Sequence, residues 1–87
     1  MAIIDITGGP PKDELVSRTL SSLPVIFLTT GGLTAVLIED IQETDASGNH
    51  LSFVGRIVVG TDTGARVEGR YDAQATTGTM TTTSNGA

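Results

Sequence analysis

The chain has 87 residues, enough for one domain rather than two. It contains no cysteine, which excludes disulfides, thiolate metal sites and a cysteine nucleophile. Ten acidic residues against five basic ones give a formal net charge of −5, which argues against partners such as nucleic acid or an anionic membrane surface. Since residues 1–7 do not have the pattern of a signal peptide and no apolar segment approaches membrane-spanning length, the sequence predicts a cytoplasmic location.

The first predicted element is a helix over residues 11–22, which follows a breaker cluster of two glycines and two prolines. Pro11 suits the first turn of a helix, and Asp13 and Glu14 favour its positive end. Pro24 is expected to stop the helix. Since about three turns are marginal in isolation, the helix is expected to dock on a sheet through one apolar stripe. That stripe comprises Leu15, Val16, Thr19, Leu20 and Leu23.

Four β-rich runs follow the helix, and turn-forming residues separate them. The runs cover residues 25–30, 33–44, 50–60 and 65–73, and residues 2–7 could add a short edge strand. This order predicts an α+β fold, in which the N-terminal helix packs on a four- to five-stranded antiparallel meander, strongly curved or closed as a small barrel. The order of elements resembles that of the Sm-like and SH3-like barrels, without the Sm sequence motifs.

The threonine-rich C-terminal segment sets the predicted domain boundary. Residues 1–75 are interpreted as a single α+β domain, and residues 76–87 as a tail that is low in apolar side chains apart from Met80. Such a composition favours disorder, and an edge strand is the alternative because threonine is β-prone.

The last hairpin can be assigned a register from its turn. A three-residue loop with a bulge over residues 61–64 predicts that Val59 faces Val67 and that Phe53 faces Ala73, with the apolar odd positions of both strands on one face. The opposite side is also partly apolar, through Val54 and Val58, which Val36 and Ile38 on the preceding strand could join. A sheet that is apolar on both sides needs cover on both, so we expect either barrel closure or a second subunit.

Three arginines form the candidate ligand-binding site. The predicted register places Arg56 directly opposite Arg70, with Arg66 on the same face. Like charges so placed repel each other. Nearby carboxylates could offset the repulsion, or an external anion or an acidic patch on a partner could do so.

Two weaker candidates lie around the turn at residues 45–49. His50, the only histidine, could act as a general base with Glu43 or Asp45, or could simply be a solvated residue at the start of a strand. Asp45, Ser47 and Asn49 alternate like the first ligands of a calcium loop. The later positions of an EF-hand loop would be occupied by His50 and Arg56, which do not fit, so an ordinary turn is the simpler interpretation.

The string Asp62-Thr63-Gly64-Ala65 resembles the DTGA motif of the retropepsin-like aspartic proteases. In that family the aspartate pairs with its symmetry mate in a dimer, and the resemblance implies that Asp62 would take that role. It covers four residues, and a hairpin turn that uses Asp, Thr and Gly for their turn geometry accounts for the same string.

These observations rank the possible functions. The first hypothesis is a non-enzymatic structural or interaction module that self-associates through a sheet face or edge, as a homo-oligomer. The second is a small-ligand or anion-binding module that uses Arg56, Arg66 and Arg70. The third is a dimeric aspartic hydrolase. We assign no catalytic residue, no metal ligand and no cofactor, because no complete set for any of them is present.

Overall fold

The computed structural model describes residues 3–60 and 63–82. In these ranges six antiparallel strands, each beside its neighbour in sequence, form a closed barrel with one short helix after the first strand. The elements are β1 (Ile3–Gly8), α1 (Lys12–Leu20), β2 (Val25–Thr29), β3 (Gly32–Glu43), β4 (His50–Val59), β5 (Arg66–Asp72) and β6 (Thr77–Thr82). The predicted small α+β barrel is confirmed in outline, but the predicted count of four to five strands is too low.

The extra strand comes from the segment that was expected to be a disordered tail. Residues 77–82 form β6, which pairs with β5 on one side and with β1 on the other and so closes the barrel. Met80 and Thr82 point inward and are buried, while Thr79 and Thr81, at the alternate positions, face outward. The ordered domain therefore extends past residue 75. When strands pair with it on both sides, a segment of β-prone threonines needs only one or two buried inward side chains to form a strand. Residues 83–87 of the predicted tail lie outside the described ranges.

The helix is shorter than predicted and covers the barrel with a single side chain. It ends at Leu20, four residues before Pro24, and Leu15 is its one fully buried residue. Leu15 belongs to the same apolar cluster as the barrel interior. The prediction that Leu20 and Leu23 also belong to the docked apolar stripe is wrong, since Leu20 is 80% exposed and Leu23 is 49% exposed.

Three aromatic rings fill the middle of the barrel. The rings of Phe27 and Phe53 stack with their centroids 5.7 Å apart, and the ring of Tyr71 tilts against Phe27 at 5.4 Å. The Tyr71 hydroxyl donates a hydrogen bond of 2.7 Å to the carbonyl oxygen of Pro10, which ties the segment before α1 to the barrel wall. A buried tyrosine that finds such a partner avoids the cost of a desolvated hydroxyl.

The register of the β4–β5 hairpin differs from the prediction by four residues. The amide of Gly64 bonds the carbonyl of Ile57 at 2.7 Å, so the loop is longer than three residues, and Phe53 faces Gly69 instead of Ala73. A shift by an even number keeps every side chain on its predicted side. The apolar odd positions therefore do face the core. The ring of Phe53 lies over Gly69, where a Cβ atom would come within 2.6 Å of the ring atom Cε2.

Two bulges interrupt the β3–β4 pairing, between Ala35 and Val36 and between Ile38 and Asp40. The second leaves Glu39 as an extra residue on β3, which reverses the side that the preceding residues of β3 face. Val36 and Ile38 consequently point into the core, and the expectation that they lie on the outer side is wrong. A bulge changes the alternation of side chains, which a uniform period-two pattern does not anticipate.

Candidate functional site

The three arginines do not form one group. Arg56 lies directly opposite Arg66, whereas Arg70 faces Ser52 on β4 and Thr79 on β6. The predicted pairing of Arg56 with Arg70 is therefore wrong, since the hairpin register is shifted. Arg70 lies four positions after Arg66 along β5, roughly 13 Å of strand, with Glu68 between them.

Arg66 on β5 has a carboxylate partner on β3, across the intervening strand β4. Its Nη2 atom lies 3.6 Å from Oε1 of Glu39, the residue that the second bulge of β3 leaves out of register. Both side chains are almost half exposed, so this ion pair is worth about 0–1 kcal/mol. Glu39 therefore offsets part of the repulsion between the two facing arginines.

Arg70 lines a polar groove on the outside of the barrel. The groove has a volume of about 650 Å³, and Gln42, Ser52 and Thr79 form one row across it together with Arg70. Asp40 and Glu68 also line it, so that two carboxylates accompany one guanidinium. For a small anion this is a poor electrostatic environment, because the lining carries more negative than positive charge.

His50 links the two turns at one end of the barrel. Its Nδ1 atom lies 2.5 Å from Oδ2 of Asp45, and its Nε2 atom lies 3.4 Å from Oδ2 of Asp72. The Asp72 carboxylate also accepts hydrogen bonds from the backbone amides of Gln74 and Ala75 in the β5–β6 turn. The imidazole therefore joins the β3–β4 turn to the β5–β6 turn, which is a structural role.

The Asp45 carboxylate is occupied by donors from its own turn. It accepts hydrogen bonds from the Ser47 hydroxyl at 2.9 Å and from the Gly48 amide at 3.1 Å. Desolvation acts to raise the pKa of Asp45, but the hydrogen bonds from His50 and Ser47 outweigh it and bring the pKa below the ordinary value of 3.8. These contacts fit the turn interpretation of residues 45–49 better than a calcium loop.

Replacing Asp45 with asparagine is expected to remove a contribution to the free energy of unfolding that depends on pH. Since the pKa is lower in the folded chain than in the unfolded chain, ionised Asp45 stabilises the fold above pH about 3.8, and this contribution is lost as the pH falls through the folded pKa. Urea unfolding at several pH values should show the native chain more stable than Asp45→Asn at pH about 5, and the difference should shrink progressively as the pH falls below 3.8.

Glu68→Gln is the matched control, because Glu68 has no ion pair among the described residues and lies away from the turn. A difference between the native chain and Asp45→Asn that stays constant over the same pH range would contradict the proposed role of the ionised carboxylate.

Tyr71 is the most strongly perturbed titratable group of the described ranges. Burial raises the pKa of Tyr71 to about 12, and the negative charge of Asp72 acts in the same direction. Its hydroxyl donates a hydrogen bond to the carbonyl oxygen of Pro10 within the core. The perturbation therefore follows from packing.

The DTGA string falls partly on residues that the structure does not describe. Asp62 lies outside the described ranges, so the implied role of this residue remains a prediction. Of the rest, Thr63 donates a hydrogen bond of 2.7 Å to the carbonyl of Gly60, and Gly64 has a φ of +95°. Both features are typical of a turn.

A different surface stands out on the outside of β2 and β3. We call it the apolar face, and it consists of Ile26, Leu28, Leu33, Ala35 and Val59. Leu28 lies directly opposite Leu33, and Ala35 lies between Ile26 on β2 and Val59 on β4. The four large members are between 48% and 69% exposed. Contiguous exposed apolar side chains of this kind mark interaction sites on soluble domains.

Sequence reasoning placed the second apolar side on β4 and missed this surface. One signal could have found it: residues 19–38 contain no charged side chain at all. Five of the seven large hydrophobic residues that are exposed in the described ranges belong to this segment. The uncharged run covers all of β2 and the first part of β3, so no charged side chain indicates which side of this hairpin faces solvent.

Comparisons with known protein families, curated protein sequences and solved structures found no match to this chain. In residues 3–60 and 63–82, no three histidine, aspartate or glutamate side chains are placed so that they could hold a metal ion. Over the same ranges no helix has the length and apolar character needed to cross a bilayer.

Proposed function

We propose that this protein is a non-enzymatic structural or interaction module that self-associates through its apolar face. The observation that carries the proposal is the cluster of exposed leucine, isoleucine and valine side chains on adjacent strands, within which residues 19–38 carry no charge. Burying such side chains yields about 25 cal/mol for each Å² of apolar surface removed from water. A second copy offers the same apolar surface, and a shared face of this kind suits a two-fold dimer.

The barrel topology favours the face over an edge as the means of association. Because β1 pairs with β6, neither terminal strand offers a free row of backbone donors and acceptors to another chain. Side chains on the outer surface are then the means by which two barrels can join. The expected location is the cytoplasm, an expectation that rests on the sequence.

The test is the solution mass, measured by light scattering after size-exclusion chromatography over a tenfold range of concentration. Self-association predicts a mass that approaches twice the 9.0 kDa of one chain as the concentration rises. A mass of one chain at every concentration up to the millimolar range would overturn the proposal, because even a weak interface would be partly populated there.

A small-ligand or anion-binding module is the second candidate, and one observation favours it. Arg70 lines two adjoining grooves, of about 650 and 490 Å³, and has no ion pair among the described residues. Asp40 and Glu68 in one groove and Asp45 and Asp72 in the other make the surroundings of Arg70 acidic. A ligand would therefore need groups that accept from Arg70 together with hydroxyl or amino groups that donate to the carboxylates.

A further inference from the structure

Most charges near the apolar face are already paired within the chain. Arg66 pairs with Glu39, and Arg18 pairs with Glu14 four residues before it. Two charged side chains that border the face have neither an ion pair nor a side-chain hydrogen bond among the described residues. They are Asp5 on β1 and Arg56 on β4, and both are exposed. Arg56 also faces the like charge of Arg66, so an additional carboxylate near it would be favourable.

These two charges lie at diagonally opposite corners of the apolar face. The carbonyl of Asp5 accepts the amide of Thr30, which places Asp5 beside β2 at the tip of the β2–β3 hairpin. Arg56 pairs with Leu37, on the other side of the face and farther from the tip. The diagonal therefore runs from an unpaired acid to an unpaired base.

A two-fold axis that lies in the plane of the face, perpendicular to this diagonal, exchanges the two corners. Rotation about it places the acidic corner of each copy against the basic corner of the other, so the interface contains two such contacts. We infer that two copies of this chain pair through the apolar face with Asp5 of each chain next to Arg56 of its partner. This inference rests on the proposed self-association and specifies its geometry. Charged pairs at the rim of an interface fix its register and disfavour other arrangements.

Charge reversal at either corner tests the geometry. Arg56→Asp places two acids at each rim contact, and Asp5→Arg places two bases there. Each variant alone is expected to dissociate roughly tenfold more readily than the native chain at low ionic strength, since like charges brought together at an interface are costly. Sedimentation equilibrium gives the dissociation constants, and circular dichroism verifies that each variant is folded.

Mixing the two variants provides the sharper measurement. In a mixed pair the two native charges meet at one rim contact and the two introduced charges meet at the other, and both contacts are attractive. The 1:1 mixture of Arg56→Asp and Asp5→Arg is therefore expected to associate within about threefold of the native chain, although each variant alone is weakened. The double variant on a single chain should recover in the same way.

Arg70→Asp is the matched control, because it makes the same change in net charge at an exposed arginine in the groove, away from the apolar face. If Arg56→Asp weakens association no more than Arg70→Asp does, or if the mixture is no tighter than its components, the pairing of Asp5 with Arg56 is overturned while self-association itself stands. If the native chain does not associate, the proposed function and this inference both fail.

Discussion

A chain shortened to residues 1–75 is expected not to fold. The truncation removes β6, which pairs with both β1 and β5, so the barrel opens and two strand edges lose their partners. It also removes Met80, which is fully buried, and the loss of a buried methionine side chain alone costs about 2–5 kcal/mol. Since small domains have only about 5–15 kcal/mol of stability, the combined loss should abolish the cooperative thermal transition.

A chain that ends at Thr82 keeps all six strands and serves as the control. Thermal unfolding followed by circular dichroism, together with the dispersion of amide signals in NMR spectra, separates a folded from an unfolded chain. A cooperative transition in the 1–75 chain at the temperature of the control would mean that β6 is dispensable, and the domain boundary predicted from composition would then stand.

Leu28→Asp is expected to make the protein monomeric without unfolding it. Leu28 points outward on the apolar face, directly opposite Leu33, and is 48% exposed, so the fold loses about 1 kcal/mol or less from the substitution. In a two-fold dimer two new carboxylates would be buried at the interface without partners, and an unpaired charge buried in this way costs about 3–5 kcal/mol. The dissociation constant should rise by roughly a hundredfold or more.

Thr79→Asp adds the same charge to an exposed outward position on β6, in the polar groove. Light scattering at equal concentrations should give the native mass for Thr79→Asp and the mass of one chain for Leu28→Asp, with similar thermal transitions for both. An unchanged mass for Leu28→Asp would place the interface elsewhere on the barrel.

Local patterns of the sequence were enough to predict several features of the fold. The alternation of apolar residues in β4 and β5 determines which side chains face inward, because a strand exposes them to opposite sides in turn. That is why Leu51, Phe53, Val67 and Tyr71 are all buried even though the predicted register was shifted by four residues. The position of the helix, which begins at Lys12 directly after the glycine and proline cluster, also follows from residue types at fixed spacings.

Other features depend on contacts between distant parts of the chain. β6 is a strand because β1 and β5 lie on either side of it, and threonine content alone does not distinguish this from disorder. The bulge at Glu39, which turns Val36 and Ile38 inward and leaves Glu39 beside Arg66, depends on how two long strands coil around a closed barrel. The longer loop of the β4–β5 hairpin separates Arg70 from Arg56.

The sequence by itself determined a small acidic domain of alternating strands with one short helix, because period-two patterns and turn residues act locally. Only the tertiary structure decided where the ring of strands closes, which faces stay exposed and which charges remain unpaired. These properties depend on the pairing of β1, near the N-terminus, with β6, near the C-terminus, and a contact between segments so far apart is not encoded in any local pattern.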